Sequence, residues 1–314
     1  MPENNIMNTS EFAPVTGPVI PVPTPFDRNH EVDYAALDSY VRFLVDSGIR
    51  NIMTTVGTSR FNLLTNEEVM RVNEVLVKAA EGKAVTIVAN PPTGSTKTAI
   101  EFARHADQIG ADYYLAYFPE RYYGEDNTYN FFAAINNVLK RTGVLIHEMP
   151  MRNGYGAGTV QYSLDLLNRL FDLKHLAGVK EEALDAEYSN MLVEAISRKS
   201  VVIGAGGGMS RYYLRDYQRG CTAYLGGIGN FQPSLELNFF AHMSAGNLEA
   251  AGKIVNETEL PYFGVTVPIG WHPSLKCALA LKGLMPEFER PPMKQVGGEE
   301  KEMLRNVMQS NGWL

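Results

Sequence analysis

Lys180 ends an apolar run, Leu176-Ala177-Gly178-Val179, and an ammonium group is unusual there. Burial disfavours the charged form of an amine, so a lysine at the end of a buried strand can lose its proton and attack a carbonyl carbon. The competing expectation is a side chain that snorkels to the surface or pairs with Glu181 or Glu182. His147 ends another such run, Val144-Leu145-Ile146. Imidazole, with an ordinary pKa near ~6.5, can move protons at neutral pH. The alternative for it is a neutral histidine that only fills the mouth of a packed structure.

Other residues are suited to meet an anion. Gly57-Thr58-Ser59 offers two hydroxyls and backbone N–H groups beside a glycine, a carboxylate-binding corner or else an ordinary turn with a helix cap. Arg152 follows His147 by five residues and can clamp a second carboxylate with its two-pronged guanidinium, unless it is an exposed or structural arginine. Leu225 closes a further apolar run, Thr222 to Leu225, and is assigned to the substrate-binding set. The stretch Gly204-Ala205-Gly206-Gly207-Gly208 lets a ligand approach the backbone, but Met209-Ser210 does not complete a phosphate-loop pattern. No HExxH, CxxC or carboxylate-rich metal spacing occurs, and the six histidines are scattered. Neither a metal nor another cofactor is expected.

The elements that position these residues repeat. Short apolar or β-branched runs alternate with longer amphipathic stretches: Pro18 to Val22 then Asp33 to Asp46, Asn51 to Thr55 then Asn66 to Ala80, Ala84 to Ala89 then Thr96 to Gln108, Ala111 to Ala116 then Asn127 to Lys140. The pattern continues with Gly143 to His147 then Ser163 to Leu170, Leu176 to Lys180 then Ala186 to Arg198, Val201 to Gly204 then Ser210 to Arg219, and Thr222 to Leu225 before a helical pattern from Ser234. Thr65-Asn66-Glu67-Glu68 has capping-box spacing, and Gly48 and Gly110 stand where a left-handed helix end favours glycine. Near-continuous apolar strands fit a parallel sheet covered by helices, and eight such units fit an α/β fold of the closed (β/α)₈ TIM-barrel type. The strand-end residues Lys180 and His147 then lie on the C-terminal rim, where barrels build active sites. A doubly wound open sheet is the alternative, weakened because no dinucleotide-type glycine fingerprint follows the first strand. The expected organisation is a flexible tail over 1–16, a barrel over 17–233, and the last barrel helix with a C-terminal helical extension over 234–314.

Bulk properties narrow the function classes. The chain has 314 residues, 45% of them hydrophobic, enough for a sizeable core. A net charge of −7 argues against nucleic acid as the main partner. Two cysteines, Cys221 and Cys277, cannot build a disulfide scaffold or a structural zinc site, so two buried thiols in a reducing compartment are expected. No apolar run is long enough to span a membrane, and Met1 to Thr16 lacks the basic start and apolar centre of a signal peptide. A cytoplasmic enzyme acting on a small molecule, with no membrane partner, is the expectation.

Taken in order, these residues resemble the dihydrodipicolinate synthase / N-acetylneuraminate lyase family. The likeness runs from about Gly17 to Leu284. Its landmarks are Thr24-Pro25-Phe26, Gly57-Thr58-Ser59, Gly178-Val179-Lys180-Glu181, and the segment Gly220 to Pro233 with Asn230. The resemblance implies a (β/α)₈ barrel with C-terminal helices, assembled as a homotetramer or homodimer. It implies that Lys180 forms a Schiff base with a 2-oxo acid such as pyruvate, and that Thr58 and Ser59 hold its carboxylate. The resulting enamine adds to an aldehyde, or the reverse cleavage runs. A Schiff-base dehydratase or decarboxylase on a sugar-acid derivative is the alternative, and a non-catalytic 2-oxo-acid binding paralogue is a third.

Three departures from the family pattern stand out. The family's G-x-x-G-E reads Gly57-Thr58-Ser59-Arg60-Phe61. Its Y-N-x-P reads His147-Glu148-Met149-Pro150, so His147 stands where the family keeps a proton-shuttling tyrosine. Its Pro-Tyr-Tyr reads Pro119-Glu120-Arg121-Tyr122-Tyr123.

Overall fold

The computed structural model describes residues 11–91, 94–118, 122–148, 161–183, 185–197 and 199–314. Eight parallel strands close into a barrel in chain order, and the first pairs with the last through Val19 and Leu225. That closure rules out the open doubly wound sheet. The strands are β1 (Gly17–Pro21), β2 (Asn51–Met53), β3 (Val85–Ala89), β4 (Tyr113–Ala116), β5 (Gly143–Glu148), β6 (Leu176–Glu181), β7 (Val201–Gly204) and β8 (Ala223–Leu225). Between and after them come α1 (Tyr34–Asp46), α2 (Asn66–Ala80), α3 (Thr96–Ile109), α4 (Glu125–Asn136), α5 (Leu164–Phe171), α6 (Ala186–Ile196), α7 (Gly208–Arg211) and α8 (Pro233–Ser244).

Local chemistry sets the helix ends. Thr65 accepts from the Glu68 N–H while the Glu68 carboxylate accepts from the Thr65 N–H, so the capping box forms. Gly110 ends α3 with φ +86°, a left-handed conformation that glycine adopts without strain. The fourth helix starts at Glu125 rather than Asn127, which places Glu125 and Asp126 at its positive end. The seventh helical stretch starts at Gly208, and turns of other pitch continue it from Tyr212 to Arg219.

Strand residues alternate between two packed layers. The inner layer fills the barrel with Val19, Met53, Ile87, Tyr113, Leu115, Leu145, Ile203 and Ala223. The outer layer packs the strands on the helices and runs on into the C-terminal region. That region adds α9 (Leu248–Ile254), α10 (Leu260–Ile269), α11 (Trp271–Leu281) and α12 (Gly298–Ser310). Leu275, Met308 and Trp313 share one core with Ile20 and Phe26, so packing is continuous from the barrel into the C-terminal helices.

Residues 11–16, within the segment expected to be a flexible tail, pack against the barrel. Val15 is buried in the inner layer, and the Phe12 ring meets Tyr113 and His175 with centroids 6.2 and 6.1 Å away. The sequence offers only two large apolar side chains there, Phe12 and Val15, with no periodic pattern to signal a packed segment.

Candidate active site

The β5–β6 pair aims the chemistry. Their register slips between Val144 and Leu145, so that Leu145 pairs with Gly178 rather than Ala177. Strict alternation from the inward-facing Ala177 would turn Lys180 outward. The extra residue resets the parity and puts Lys180 beside His147, both facing the barrel axis. Gly178 makes the slip possible: a Cβ there would lie 2.1 Å from the Val201 carbonyl oxygen on the next strand.

Lys180 is 2% exposed. Its Nζ lies 2.7 Å from His147 Nε2 and 2.5 Å from Glu182 Oε2. His147 Nε2 is in turn 2.9 Å from Glu182 Oε2. Burial lowers the amine's pKa, and Arg211 adds to this, while Glu182 and Glu181 oppose it. Glu182 is placed by strand chemistry, because its N–H donates to the Glu148 carbonyl and continues the β5–β6 pairing by one residue. Its side chain therefore repeats the inward parity of Lys180. Burial raises its carboxyl pKa, but Lys180 and His147 outweigh that and hold it below the usual carboxylate range. Glu182 is also the one member of the cluster with a substantially exposed side chain, at 26%.

Glu181 takes the opposite direction. It accepts from Ser189 Oγ at 2.5 Å, from the Ala183 N–H at 2.8 Å and from Arg211. Of the two carboxylates weighed as lysine partners, Glu182 is the one in hydrogen-bond contact. Glu148 shares the outward parity of Glu181. Burial and the nearby Glu181 charge push its carboxyl up to about 9, so it stands as a neutral acid behind the strand.

Gly57, Thr58 and Ser59 form a single 3₁₀ turn after β2, with Thr58 and Ser59 buried. Ser59 Oγ is enclosed and has no hydrogen-bond partner among the described residues, while its carbonyl accepts from Thr24 Oγ1 at 2.5 Å. Arg60, where the family keeps its second glycine, holds φ +64°. Its guanidinium donates to the Thr58 carbonyl, to the His272 carbonyl at 2.8 Å and to both Glu289 oxygens. A left-handed non-glycine residue costs about 1–2 kcal/mol, offset here by buried charge-assisted bonds.

Aromatic contacts join this turn to the lysine cluster. Phe61 packs on Tyr117 at 5.5 Å, and Tyr117 on His147 at 4.5 Å between ring centroids. Leu225 is half-buried against the inner layer, at the end of β8. Arg152 lies outside the described residues. The structure thus brings His147 and Lys180 into contact and links the Gly57–Ser59 turn to them through two rings.

Sequence reasoning gave Glu182 no chemical role and missed Tyr117. The signal for both was strand parity carried past the strand end: Tyr117 follows Tyr113 and Leu115 by twos, and Glu182 follows Lys180. At the end of the glycine-rich stretch an internal carboxylate occupies the backbone N–H groups. The Glu259 carboxylate accepts from the Met209 and Ser210 N–H groups at 2.7 and 2.6 Å, and a Cβ on Gly208 would lie 2.4 Å from its oxygen. That internal anion also explains why the helix starts early, at Gly208.

Comparison with known proteins agrees with this fold. The model of the dihydrodipicolinate synthetase family matches residues 14–311. A 4-hydroxy-tetrahydrodipicolinate synthase from Bradyrhizobium diazoefficiens is 26% identical over 294 residues, 93% of this chain and 95% of its own. A probable 5-dehydro-4-deoxyglucarate dehydratase from Bacillus licheniformis is 26% identical over 291 residues, 91% of each chain. Among solved structures, dihydrodipicolinate synthase from Aquifex aeolicus shares the fold with a TM-score of 0.84 at 23% identity, over 95% of this chain and 99% of its own.

Proposed function

This chain belongs to the dihydrodipicolinate synthetase family, and from that premise we propose that it is a class I lyase whose Lys180 forms an imine with pyruvate or a related 2-oxo acid. The observation that carries the proposal is the buried amine of Lys180, its pKa lowered by burial, 2.7 Å from an imidazole nitrogen.

Lys180 Nζ attacks the C2 ketone carbon to give a carbinolamine. Water leaves and an iminium remains. His147 then takes a proton from C3 and the electron pair moves toward nitrogen, giving an enamine. The enamine carbon adds to the carbonyl carbon of an aldehyde, whose oxygen takes up a proton, and hydrolysis of the new iminium frees the lysine. Read backwards, the same steps cleave a carbon–carbon bond. Thr58 and Ser59 hold the 2-oxo acid's carboxylate; the enclosed Ser59 hydroxyl is suited to donate to it. Gly57 keeps that turn close, and Leu225 supplies an apolar wall. An imidazole accepts a proton directly at neutral pH, which a phenol with a pKa near ~10 does less readily.

A second reading has the same imine drive loss of water from a sugar acid. It is favoured by the similarity to the probable dehydratase.

Proton exchange tests the shared core of both readings. In D₂O the protein should speed exchange of the pyruvate methyl protons, followed by proton NMR, and Lys180→Ala should abolish the effect. Equal exchange in the Lys180→Ala variant would overturn the proposal.

A further inference from the structure

Three polar atoms sit in a closed triangle: Lys180 Nζ, His147 Nε2 and Glu182 Oε2, with edges of 2.7, 2.9 and 2.5 Å. Each edge is short enough for a hydrogen bond, so each could use one proton. An ammonium at Lys180 supplies two, one to Nε2 and one to Oε2, and leaves the Nε2–Oε2 edge bare. A proton moved to Nε2 supplies that edge instead and frees the lone pair of Nζ. The two arrangements differ by one proton displaced across 2.7 Å, and the Glu182 oxygen touches both positions.

We infer that Glu182 is a catalytic residue of the proposed imine chemistry, the fixed counter-ion that lets one proton pass between Lys180 and His147. The inference rests on the reading of Lys180 as the imine-forming residue. In the reactive arrangement Lys180 is a neutral amine, His147 an imidazolium and Glu182 a carboxylate. The amine adds to the ketone; imidazolium gives its proton to the oxygen, a proton leaves nitrogen for His147, and a second transfer expels that oxygen as water. The sum is R–NH₂ plus imidazolium plus ketone giving an N-protonated imine, neutral imidazole and water. Charge balances at plus one on each side, and Glu182 faces that charge at every stage. Removing two ions from water is costly unless they remain paired, and here the pair is kept while the cation changes identity.

Other groups face the cluster. Tyr117 packs on His147 from the β4 side. Arg211 and Glu181 act on Lys180 with opposite signs from behind the sheet. Neither Arg211 nor Glu181 makes a hydrogen bond to Nζ among those described, whereas Glu182 does.

Glu182→Gln keeps the shape and removes the charge. Glu182→Asp keeps the charge and shortens the reach. For each, pyruvate methyl-proton exchange is measured from pH 5.5 to 9.5, and borohydride trapping followed by mass spectrometry records whether Lys180 carries pyruvate. Loss of the counter-ion makes the cluster release its single proton at lower pH. The exchange rate of Glu182→Gln should therefore fall by about 10²-fold at pH 7.5, the scale of one general acid–base group. The high-pH limb of its profile should move to lower pH, and Glu182→Asp should recover part of both. A merely structural role leaves that limb in place. A Glu182→Gln profile matching the wild type, with Lys180 still trapped, overturns the role of Glu182 and leaves the imine proposal intact. Failure of the wild type to trap pyruvate on Lys180 overturns both. Should Glu182→Gln not fold, the Glu182→Asp profile decides: an unshifted limb at the full wild-type rate contradicts the inference.

Discussion

Lys180 and Lys276 are both buried, at 2% and 1% exposure, and burial lowers the pKa of both, that of Lys276 to about 7. Their partners differ. Lys276, on α11, donates to the Thr24 carbonyl at 2.6 Å, lies 3.5 Å from the Phe288 carbonyl, and sits 5.2 Å from the centre of the Phe26 ring. None of those groups can take a proton. Lys180 touches an imidazole and a carboxylate, both of which can, and the carboxylate is partly open to solvent. A depressed amine pKa is therefore not enough to mark a nucleophile. Lys276 works as a clamp: through Thr24 it joins α11 to the Ser59 carbonyl, and the separate Arg60–Glu289 pair ties the same turn to the C-terminal segment.

Exchanging the two lysines' roles by mutation gives the largest expected contrast. Lys180→Met should lower turnover by about 10⁴-fold or more, as loss of a nucleophile does. Lys276→Met should keep the reactive amine but lose about 1–3 kcal/mol of stability per carbonyl left unpaired, read by urea unfolding near pH 10, where the cost of deprotonating Lys276 on folding has largely gone. A Lys276→Met protein as stable as wild type would contradict the clamp.

His147→Phe comes next. It should retain the fold and lose about 10²–10⁴-fold in turnover, the contribution of a positioned acid–base group. Full turnover would reduce His147 to a filler of the barrel mouth. A double Thr58→Val, Ser59→Ala variant should bind pyruvate about tenfold or more weakly, since charge-assisted bonds contribute ~1.5–3 kcal/mol each. Unchanged affinity in the folded variant would remove the turn from the site.

A pH series sharpens the comparison further. The folded pKa of Lys276, about 7, lies below its unfolded value near ~10.4, so between them the unfolded chain binds more protons. Its contribution to stability should rise with pH over that window, by at most about 1.4 kcal/mol per unit. The stability difference between wild type and Lys276→Met should carry that slope between pH 7.5 and 9.5, and a flat difference would show that Lys276 is not depressed. Arg152→Lys has the smallest expected effect, a several-fold rise in KM for the second substrate with pyruvate binding unchanged.

The barrel was legible because each strand–helix unit carries its own signal, as Thr65 and Glu68 do at the start of α2. The rim positions of Lys180 and His147 were legible because both close apolar runs, each one residue before its strand ends. What escaped depended on contacts far along the chain. Arg60 meets Glu289 across 229 residues, and Glu259 fills the glycine-rich turn from 50 residues away. No local pattern announces such pairs. Glu182 escaped because its parity with Lys180 counts only if the chain stays paired beyond the apolar run, and it is the Glu182 N–H to Glu148 carbonyl bond that keeps it so.

The most direct test of the account sets the two buried lysines against each other in one sample. Protein is incubated with pyruvate, reduced with borohydride, digested and read peptide by peptide. One pyruvate-derived mass increment is expected, on the peptide bearing Lys180, with the Lys276 peptide unmodified. An increment on Lys276 with Lys180 unmodified, or none on either, would contradict it.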